Sequence, residues 1–131
     1  MRLSVDTLGT FYEMARQGAG LAADRLTRIT GTEARVSATR LEFSTTGAVR
    51  AELADDRTHA GASVELSGGI EGRTILLFGE AAGRELARTL VTDVAEPSDQ
   101  LLESAIAEVC GIMNNGFVDG WADVLRTEID I

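Results

Sequence analysis

Residues 99–125 read DQLLESAIAEVCGIMNNGFVDGWADVL and decide much of the fold. Apolar residues recur in this stretch at steps of three and four, which predicts a long amphipathic helix over about residues 100–125. Ser98 or Asp99 precedes the pattern, and both are residue types that cap a helix N-terminus. The apolar stripe consists of Leu102, Ala105, Ile106, Val109, Ile112, Met113, Phe117, Trp121, Val124 and Leu125. A stripe of this length has to be covered by other elements.

A second amphipathic helix is predicted over residues 3–30, and Gly31 is a suitable C-terminal stop. Gly18 and Gly20 lie inside this helix, where each costs about 1 kcal/mol relative to alanine. Glycines kept at that cost indicate the close approach of another element. The apolar stripe of this helix consists of Leu8, Phe11, Ala15, Gly18, Ala22, Leu26 and Ile29.

The chain between the two long helices is predicted to form a small sheet and one short helix. Residues 34–44 are rich in β-branched and aromatic residues and favour a strand, whereas residues 45–59 are mixed and favour a loop or an irregular edge. Alternating residues in 60–78 predict a hairpin that turns at Gly68–Gly69. A short helix is predicted over 80–92. The fold class is therefore α+β, an antiparallel sheet of at least three strands with helices packed on it and an edge left exposed.

The two long helices resemble each other at an offset of 95 residues. This internal pseudo-repeat predicts a single domain over residues 1–131, with a first repeat in 1–94 and the helix of a second repeat in 99–125. The identities at this offset are Glu13 with Glu108, Asp24 with Asp119, and Thr32–Glu33 with Thr127–Glu128.

The remainder of the second repeat is absent from the chain. Val36, near the start of the first predicted strand, corresponds to Ile131, so Ile131 is expected to open a matching strand. Either the second half has been lost or the chain is a fragment of a longer one. Formation of a homodimer is one way in which the exposed sheet edge would be covered.

The charge balance excludes several classes of function. The net charge is −9, from 21 acidic residues and 12 basic residues that are all arginine. Such a surface repels nucleic acid and anionic lipid. An acidic surplus without lysine fits a halophilic source, and a GC-rich genome that encodes arginine in place of lysine is the alternative.

The cysteine and histidine counts argue against a metal centre. Cys110 is the single cysteine and His59 the single histidine, so no conventional site of nitrogen and sulfur ligands is expected, and no cofactor is predicted. No apolar run is long enough for a membrane span, and the N-terminus does not have the pattern of a secretory signal. The expected location is the cytoplasm.

Each long helix carries a polar face opposite its apolar stripe. One interpretation is a pair of solvated faces, in which Glu13 and Arg16 form an ordinary ion pair three residues apart. The other follows from four poor helix formers in the middle of the second helix, Gly111, Asn114, Asn115 and Gly116, which indicate either the close approach of another helix or a binding surface. The polar faces are Glu13, Arg16, Gly20 and Asp24 on the first helix, and Ser104, Glu108, Gly111, Asn115 and Asp119 on the second.

Two segments on these faces resemble the signatures of the CheC/CheX/FliY family of chemotaxis phosphatases. The sequence SAIAEVCG at 104–111 resembles a signature of Ser or Asp, three residues, Glu, two residues and Asn. The sequence EMARQGAGLAA at 13–23 resembles the signature Glu-x-x-Asn-x-Gly-x-Gly-x-Ala-Ala. The hairpin phrases VELSG at 64–68 and GRTILLF at 72–78 also resemble that family. The resemblance covers nearly the whole chain, but only about the first two thirds of a usual member.

The resemblance implies a protein whose two helices dock on a phosphorylated response regulator. In that family the Glu engages a basic residue of the regulator, and the Asn orients the water that attacks the phosphoaspartate. A carboxamide suits this role because it both donates and accepts hydrogen bonds. The metal ion for phosphoryl transfer is supplied by the regulator. The implied partners are the response regulator CheY and the receptor deamidase CheD.

Carried over residue by residue, the signatures are incomplete. Glu13, Ser104 and Glu108 match, whereas the two Asn positions hold Arg16 and Gly111. Arg16 has no acceptor to hold a water, and Gly111 has no side chain. The resemblance therefore implies partner binding through Glu13, Arg16, Ser104, Glu108 and Gly111, with degenerate phosphatase motifs.

Three hypotheses follow from the sequence. The first is a CheC-like adaptor that docks on CheY or CheD and has lost most of its hydrolytic activity. The second is a working phosphatase of phosphorylated CheY that acts through Glu108 with Asn115, which lies one helical turn beyond the usual position, or through Glu13. The third is an unrelated structural α+β domain.

Overall fold

The computed structural model describes residues 4–37, 40–54 and 59–131. The element order is α1 (Val5–Thr30), α2 (Thr46–Leu53), β1 (His59–Gly68), β2 (Gly72–Gly79), α3 (Glu80–Leu90), α4 (Asp99–Leu125) and β3 (Ile129–Asp130). The three strands form one antiparallel sheet in the order β2-β1-β3. The predicted fold class is confirmed, because two long helices pack together beside an antiparallel sheet.

Helices α1 and α4 pack antiparallel through contacts between small residues. A Cβ built on Gly116 would lie 2.7 Å from the backbone nitrogen of Ala22, and one built on Gly120 would lie 2.6 Å from that of Gly18. Gly18 in turn faces Phe117, so the approach expected for this glycine is confirmed. Gly20 has open space around it, and its approach to another element is not found. Arg25 of α1 also forms an ion pair with Asp119 of α4.

The hairpin of β1 and β2 packs its inner face on α4. Its strands pair in regular antiparallel register from His59 opposite Gly79 to Leu66 opposite Gly72. Leu76 and Phe78 contact two groups of buried residues, one shared with α3 and the other with α1. Full burial of a large apolar side chain stabilises a fold by about 1.5–3 kcal/mol, and the half-buried Leu76 and Phe78 contribute part of that each. The core therefore fixes the hairpin, α3 and α1 around the inward face of α4.

Two predictions for the segment before the hairpin are wrong. Residues 34–44 form no strand in the described positions of that segment, which exclude 38–39. The backbone N–H of Ala34 donates instead to the Thr27 hydroxyl at 2.9 Å, and Ala34 and Val36 pack on the core residues of α1 and α4. The predicted loop over 45–59 contains α2, because the Thr45 hydroxyl accepts from the Ala48 N–H and caps that helix. Residues 55–58 of that prediction lie outside the described residues.

The chain after α4 does form a strand, but it begins before the expected Ile131. In β3, Ile129 pairs with Gly68 and Asp130 pairs with Ser67, on the side of β1 away from β2. The rest of that side of β1, Gly61–Leu66, pairs with no strand among the described residues. The sheet therefore has an exposed edge, as predicted.

The two long helices end in the same way at equivalent places. Gly31 and Arg126 are 95 residues apart, and each is a left-handed C-cap, with φ of 69° and 53°. The helices also cross where Gly116 meets Ala22. The offset of 95 residues relates Ala22 to Phe117, which is one residue from Gly116. These coincidences support the pseudo-repeat, whose division into a first repeat and a partial second one stays a prediction.

Arg126 is the one non-glycine residue with a positive φ among the described positions. Replacing it with glycine should raise the free energy of unfolding by about 0.5–1 kcal/mol, because glycine adopts this conformation without the steric cost that a Cβ brings. Denaturant unfolding of Arg126→Gly measures the effect. The matched change, Gly31→Ala, should lower stability by a similar amount, and equal stability of both variants and the wild type would contradict this account.

Candidate functional site

The signature residues of α4 lie along its outer face. Ser104 and Glu108 are exposed and one turn apart, Gly111 is half-buried and Asn115 is exposed. A Cβ at Gly111 would meet no atom within 4 Å, so this position opens onto free space. Asn115 lies about 10 Å beyond Glu108 along the helix, at 1.5 Å per residue. The face therefore presents a hydroxyl, a carboxylate and, further along, a carboxamide.

The neighbouring Asn114 points into the protein and is 3% exposed. Its Oδ1 accepts a hydrogen bond from the Thr74 hydroxyl of β2 at 3.0 Å. Its Nδ2 has no hydrogen-bond partner within the part of the chain that the structure describes. Asn114 thus ties α4 to the hairpin and leaves Asn115 as the carboxamide of this pair that reaches the surface. This exposure agrees with the predicted polar face of α4, which includes Asn115 and not Asn114.

The signature residues of α1 form a closed hydrogen-bonded group. The Arg16 guanidinium donates to Glu13 through Nε at 3.2 Å and through Nη2 at 2.5 Å. Gln17 Nε2 donates to the same carboxylate at 3.4 Å. The hydrogen bond from Arg16 lowers the pKa of Glu13 below its ordinary value, although partial desolvation opposes the shift. Glu13 therefore stays ionised, and its carboxylate is already paired with side chains of its own helix.

The structure does not bring Glu13 and Glu108 together. The helices cross where Ala22 of α1 meets Gly116 of α4, and they run in opposite directions. Glu13 lies nine residues before Ala22, and Glu108 lies eight residues before Gly116. The two carboxylates are therefore separated by roughly 25 Å along the helix axes. A single centre that uses both is not formed, so the two signatures define two separate places on the helix pair.

Glu108 is also placed beside a groove that sequence analysis missed. The groove has a volume of about 310 Å³ and lies where the ends of α1 and α3 meet the first half of α4. The residues that line it are Ile29, Leu90, Val91, Leu101, Ser104, Ala105 and Glu108. Ile29 and Leu101 belong to predicted helices, but only the packing of three helix ends shows that they border one groove.

The remaining chemistry-bearing side chains offer no alternative centre among the residues described. Burial raises the pKa of the Cys110 thiol, so this group stays protonated under the hairpin and is a poor nucleophile. Within the same residues, no group of three His, Cys, Asp or Glu side chains is arranged to hold a metal ion. None of the helices described has the length and apolar character that crossing a membrane requires.

These features define a class of protein: a small α+β domain that presents carboxylates on the outer faces of two antiparallel helices. No protein-family model matches the chain. The chain is 32% identical over 132 aligned residues to "Putative CheY-P phosphatase CheC1" of Halobacterium salinarum. The alignment covers 98% of this chain and 67% of that protein. The chain belongs to the CheC-like family of chemotaxis proteins, and the predicted family resemblance is confirmed.

Proposed function

We propose that this protein is a cytoplasmic CheC-like adaptor of a chemotaxis system that docks on phosphorylated CheY, on the receptor deamidase CheD, or on both. The exposed carboxylate of Glu108 on α4, which forms no ion pair with any of the described residues, is the observation that carries this proposal. Ser104 and Gly111 lie one turn to either side of it on the same face. A carboxylate at this place is suited to a basic residue of a partner, because opposite charges at an interface steer association and fix its register.

Strong hydrolysis of phosphorylated CheY is not expected from this chain. The positions three residues after Glu13 and Glu108 hold Arg16 and Gly111, and neither supplies a carboxamide. Arg16 is moreover engaged with Glu13. No cofactor of its own is proposed, since the regulator would supply the Mg²⁺ ion for phosphoryl transfer. Phosphatase activity through Asn115 is the second candidate function, because this carboxamide is exposed on the same helix as Glu108.

Charge reversal at Glu108 tests the docking face. Glu108→Arg should weaken the binding of phosphorylated CheY by about tenfold or more at low salt, because an attraction becomes a repulsion. Molar KCl should reduce the effect, since the Debye length there falls to about 3 Å. Isothermal titration calorimetry gives both affinities. Glu103→Arg, an exposed change on α4 outside the groove, is the matched control, and equal losses for the two variants would contradict the assignment.

We also propose that the chain forms a homodimer through an apolar cleft between α1 and α4, near the turn that follows β1. The cleft has a volume of about 320 Å³ and is lined by Phe11, Met14, Ala15, Leu41, Ile70, Phe117 and Trp121. Apolar surface of this kind favours association.

Sedimentation equilibrium of the wild type and of Leu41→Lys measures the dimer. The substitution should raise the dimer dissociation constant by about tenfold or more, because it places a charge in an apolar contact. Leu53→Lys on α2, at a leucine of similar exposure outside the cleft, should leave the constant unchanged. A wild type that stays monomeric at all concentrations would refute the dimer.

A further inference from the structure

The groove beside Glu108 combines an apolar floor with one acidic side. Leu90 and Val91 at the end of α3, Leu101 of α4 and Ile29 of α1 supply the apolar contacts, and Ala105 forms the buried base. Ile29 is 50% exposed, which is high for an isoleucine beside three other apolar side chains. An exposed apolar groove with a few polar groups at its margin is the usual form of a binding site.

The acidic side of the groove is available to a partner. Glu108 has no ion pair and no side-chain hydrogen bond to any residue that the structure describes. Ser104, one turn earlier on the same side, has a free hydroxyl by the same criterion. A lone carboxylate next to an apolar surface is complementary to a cation that stands next to an apolar side chain.

The corresponding place on α1 lacks both properties. At the offset of 95 residues, Leu101, Ser104 and Ala105 correspond to Asp6, Gly9 and Thr10, which are exposed and provide no apolar floor. Glu13, the counterpart of Glu108, is held by Arg16 at 2.5 Å. The two signatures are therefore not equivalent, although they occupy matching positions in the pseudo-repeat.

We propose that the groove between α1, α3 and α4 is the principal docking site of this protein, and that its occupant is a partner segment that presents one aliphatic or aromatic side chain beside a Lys or Arg. The apolar side chain enters between Ile29 and Leu101, and the cation meets Glu108. The signature on α1 does not anchor the partner. This inference rests on the proposed function, because it specifies which of the two signature faces binds CheY or CheD and what surface chemistry that partner must have.

Matched isoleucine variants test the apolar half of the site. The probe is CheY of Halobacterium salinarum, phosphorylated with a small-molecule phosphodonor and titrated calorimetrically into the protein, with CheD as a second probe. Ile29→Ser should weaken binding by about tenfold, the usual effect of removing an apolar anchor from an interface. Ile75→Ser is the control, because Ile75 is 55% exposed on the outer face of β2 and lies outside the groove. It should change the affinity less than twofold, on the order of a surface substitution.

Neutral substitutions test the acidic half of the site and its difference from α1. Glu108→Gln should weaken binding by about tenfold, because the partner cation loses its counter-charge. Glu13→Gln should change the affinity by less than about threefold, because Glu13 is already paired within its own helix. The double variant Ile29→Ser/Glu108→Gln should lose less than the product of the two single losses if both side chains contact one partner segment.

The outcomes separate this inference from the proposed function. If the wild type binds and Ile29→Ser and Glu108→Gln both leave the affinity unchanged, the groove is overturned while the proposed docking function stands. If Glu13→Gln weakens binding as much as Glu108→Gln does, the two signatures act alike and the inference is wrong. If the wild type binds neither phosphorylated CheY nor CheD, the proposed function fails and the groove assignment fails with it.

Discussion

Gly116→Ala should lower the free energy of unfolding by about 2 kcal/mol, in the range expected for overpacking a tight contact. The added Cβ would lie 2.7–2.8 Å from the backbone of Ala22, and backbone atoms cannot rotate away as a side-chain end can. Helices α1 and α4 would have to move apart where they contact each other. Val109 and Val118, which are buried on α4 near Gly116 in sequence, lie in the affected part of the helix. Urea unfolding in molar KCl, monitored by circular dichroism, measures the loss.

A second glycine on the same helix provides the control. Gly111 lies five residues before Gly116 and has no atom within 4 Å of a built Cβ. Gly111→Ala should therefore stabilise the protein by about 0.5–1 kcal/mol, because alanine is the better residue in a helix interior. The two variants carry the same chemical change, so opposite signs would isolate the helix crossing as the cause. Equal effects of the same sign would show that α1 and α4 do not approach as closely as the structure has them.

The largest functional effect is expected from restoring the two carboxamides. The double variant Arg16→Asn/Gly111→Asn should accelerate the dephosphorylation of CheY by about a hundredfold relative to the wild type, because alignment of the attacking water supplies much of the barrier reduction. Gly111 has the space for the new side chain, and the exposed Arg16 does as well. Phosphate release from phosphorylated CheY gives the rate.

Three further variants separate the carboxamide from other effects of the same substitutions. Gly111→Ala adds a Cβ without an amide and should leave the rate at the wild-type level. Arg16→Ala releases Glu13 from its ion pair and tests whether freeing this carboxylate is sufficient. If the double Asn variant is no faster than Arg16→Ala/Gly111→Ala, the missing carboxamides are not what limits hydrolysis.

Helices α1, α3 and α4 and the hairpin could be predicted from the sequence because their signals are local. The three-to-four periodicity of α4 and the alternation through Val64 and Leu66 both record which side of an element is buried. Ser98 caps α4 as its position predicts, by accepting from the Leu101 N–H at 3.1 Å. The prediction of a strand over residues 34–44 was wrong because strand formation depends on residues far away in the chain. Its composition favours β-structure, but a strand needs a partner, and β3 rather than this segment pairs with the end of β1.

The two polar helix faces of the candidate site could be predicted from the sequence, but the contacts that their residues make in the fold could not. The spacing of Glu13 and Arg16 correctly indicates an ion pair within one turn. It does not show that Glu108 has no ion-pair partner among the described residues, or that Ile29 at the end of α1 reaches the same groove as Leu101. Those relations depend on the crossing of α1 with α4, which Gly18, Gly116 and Gly120 set through contacts between residues about a hundred positions apart in the chain.

This CheC-like chain is expected to bind phosphorylated CheY but to hydrolyse it poorly. The most direct test measures both quantities on one sample, as phosphate release from phosphorylated CheY over a titration with the wild-type protein in molar KCl. We expect saturable binding that Glu108→Arg weakens, with an acceleration of release below about tenfold, too small for a well-positioned catalytic group. An acceleration of about tenfold or more at saturation, lost in Asn115→Ala, would contradict it and identify the chain as a phosphatase whose carboxamide has moved along α4.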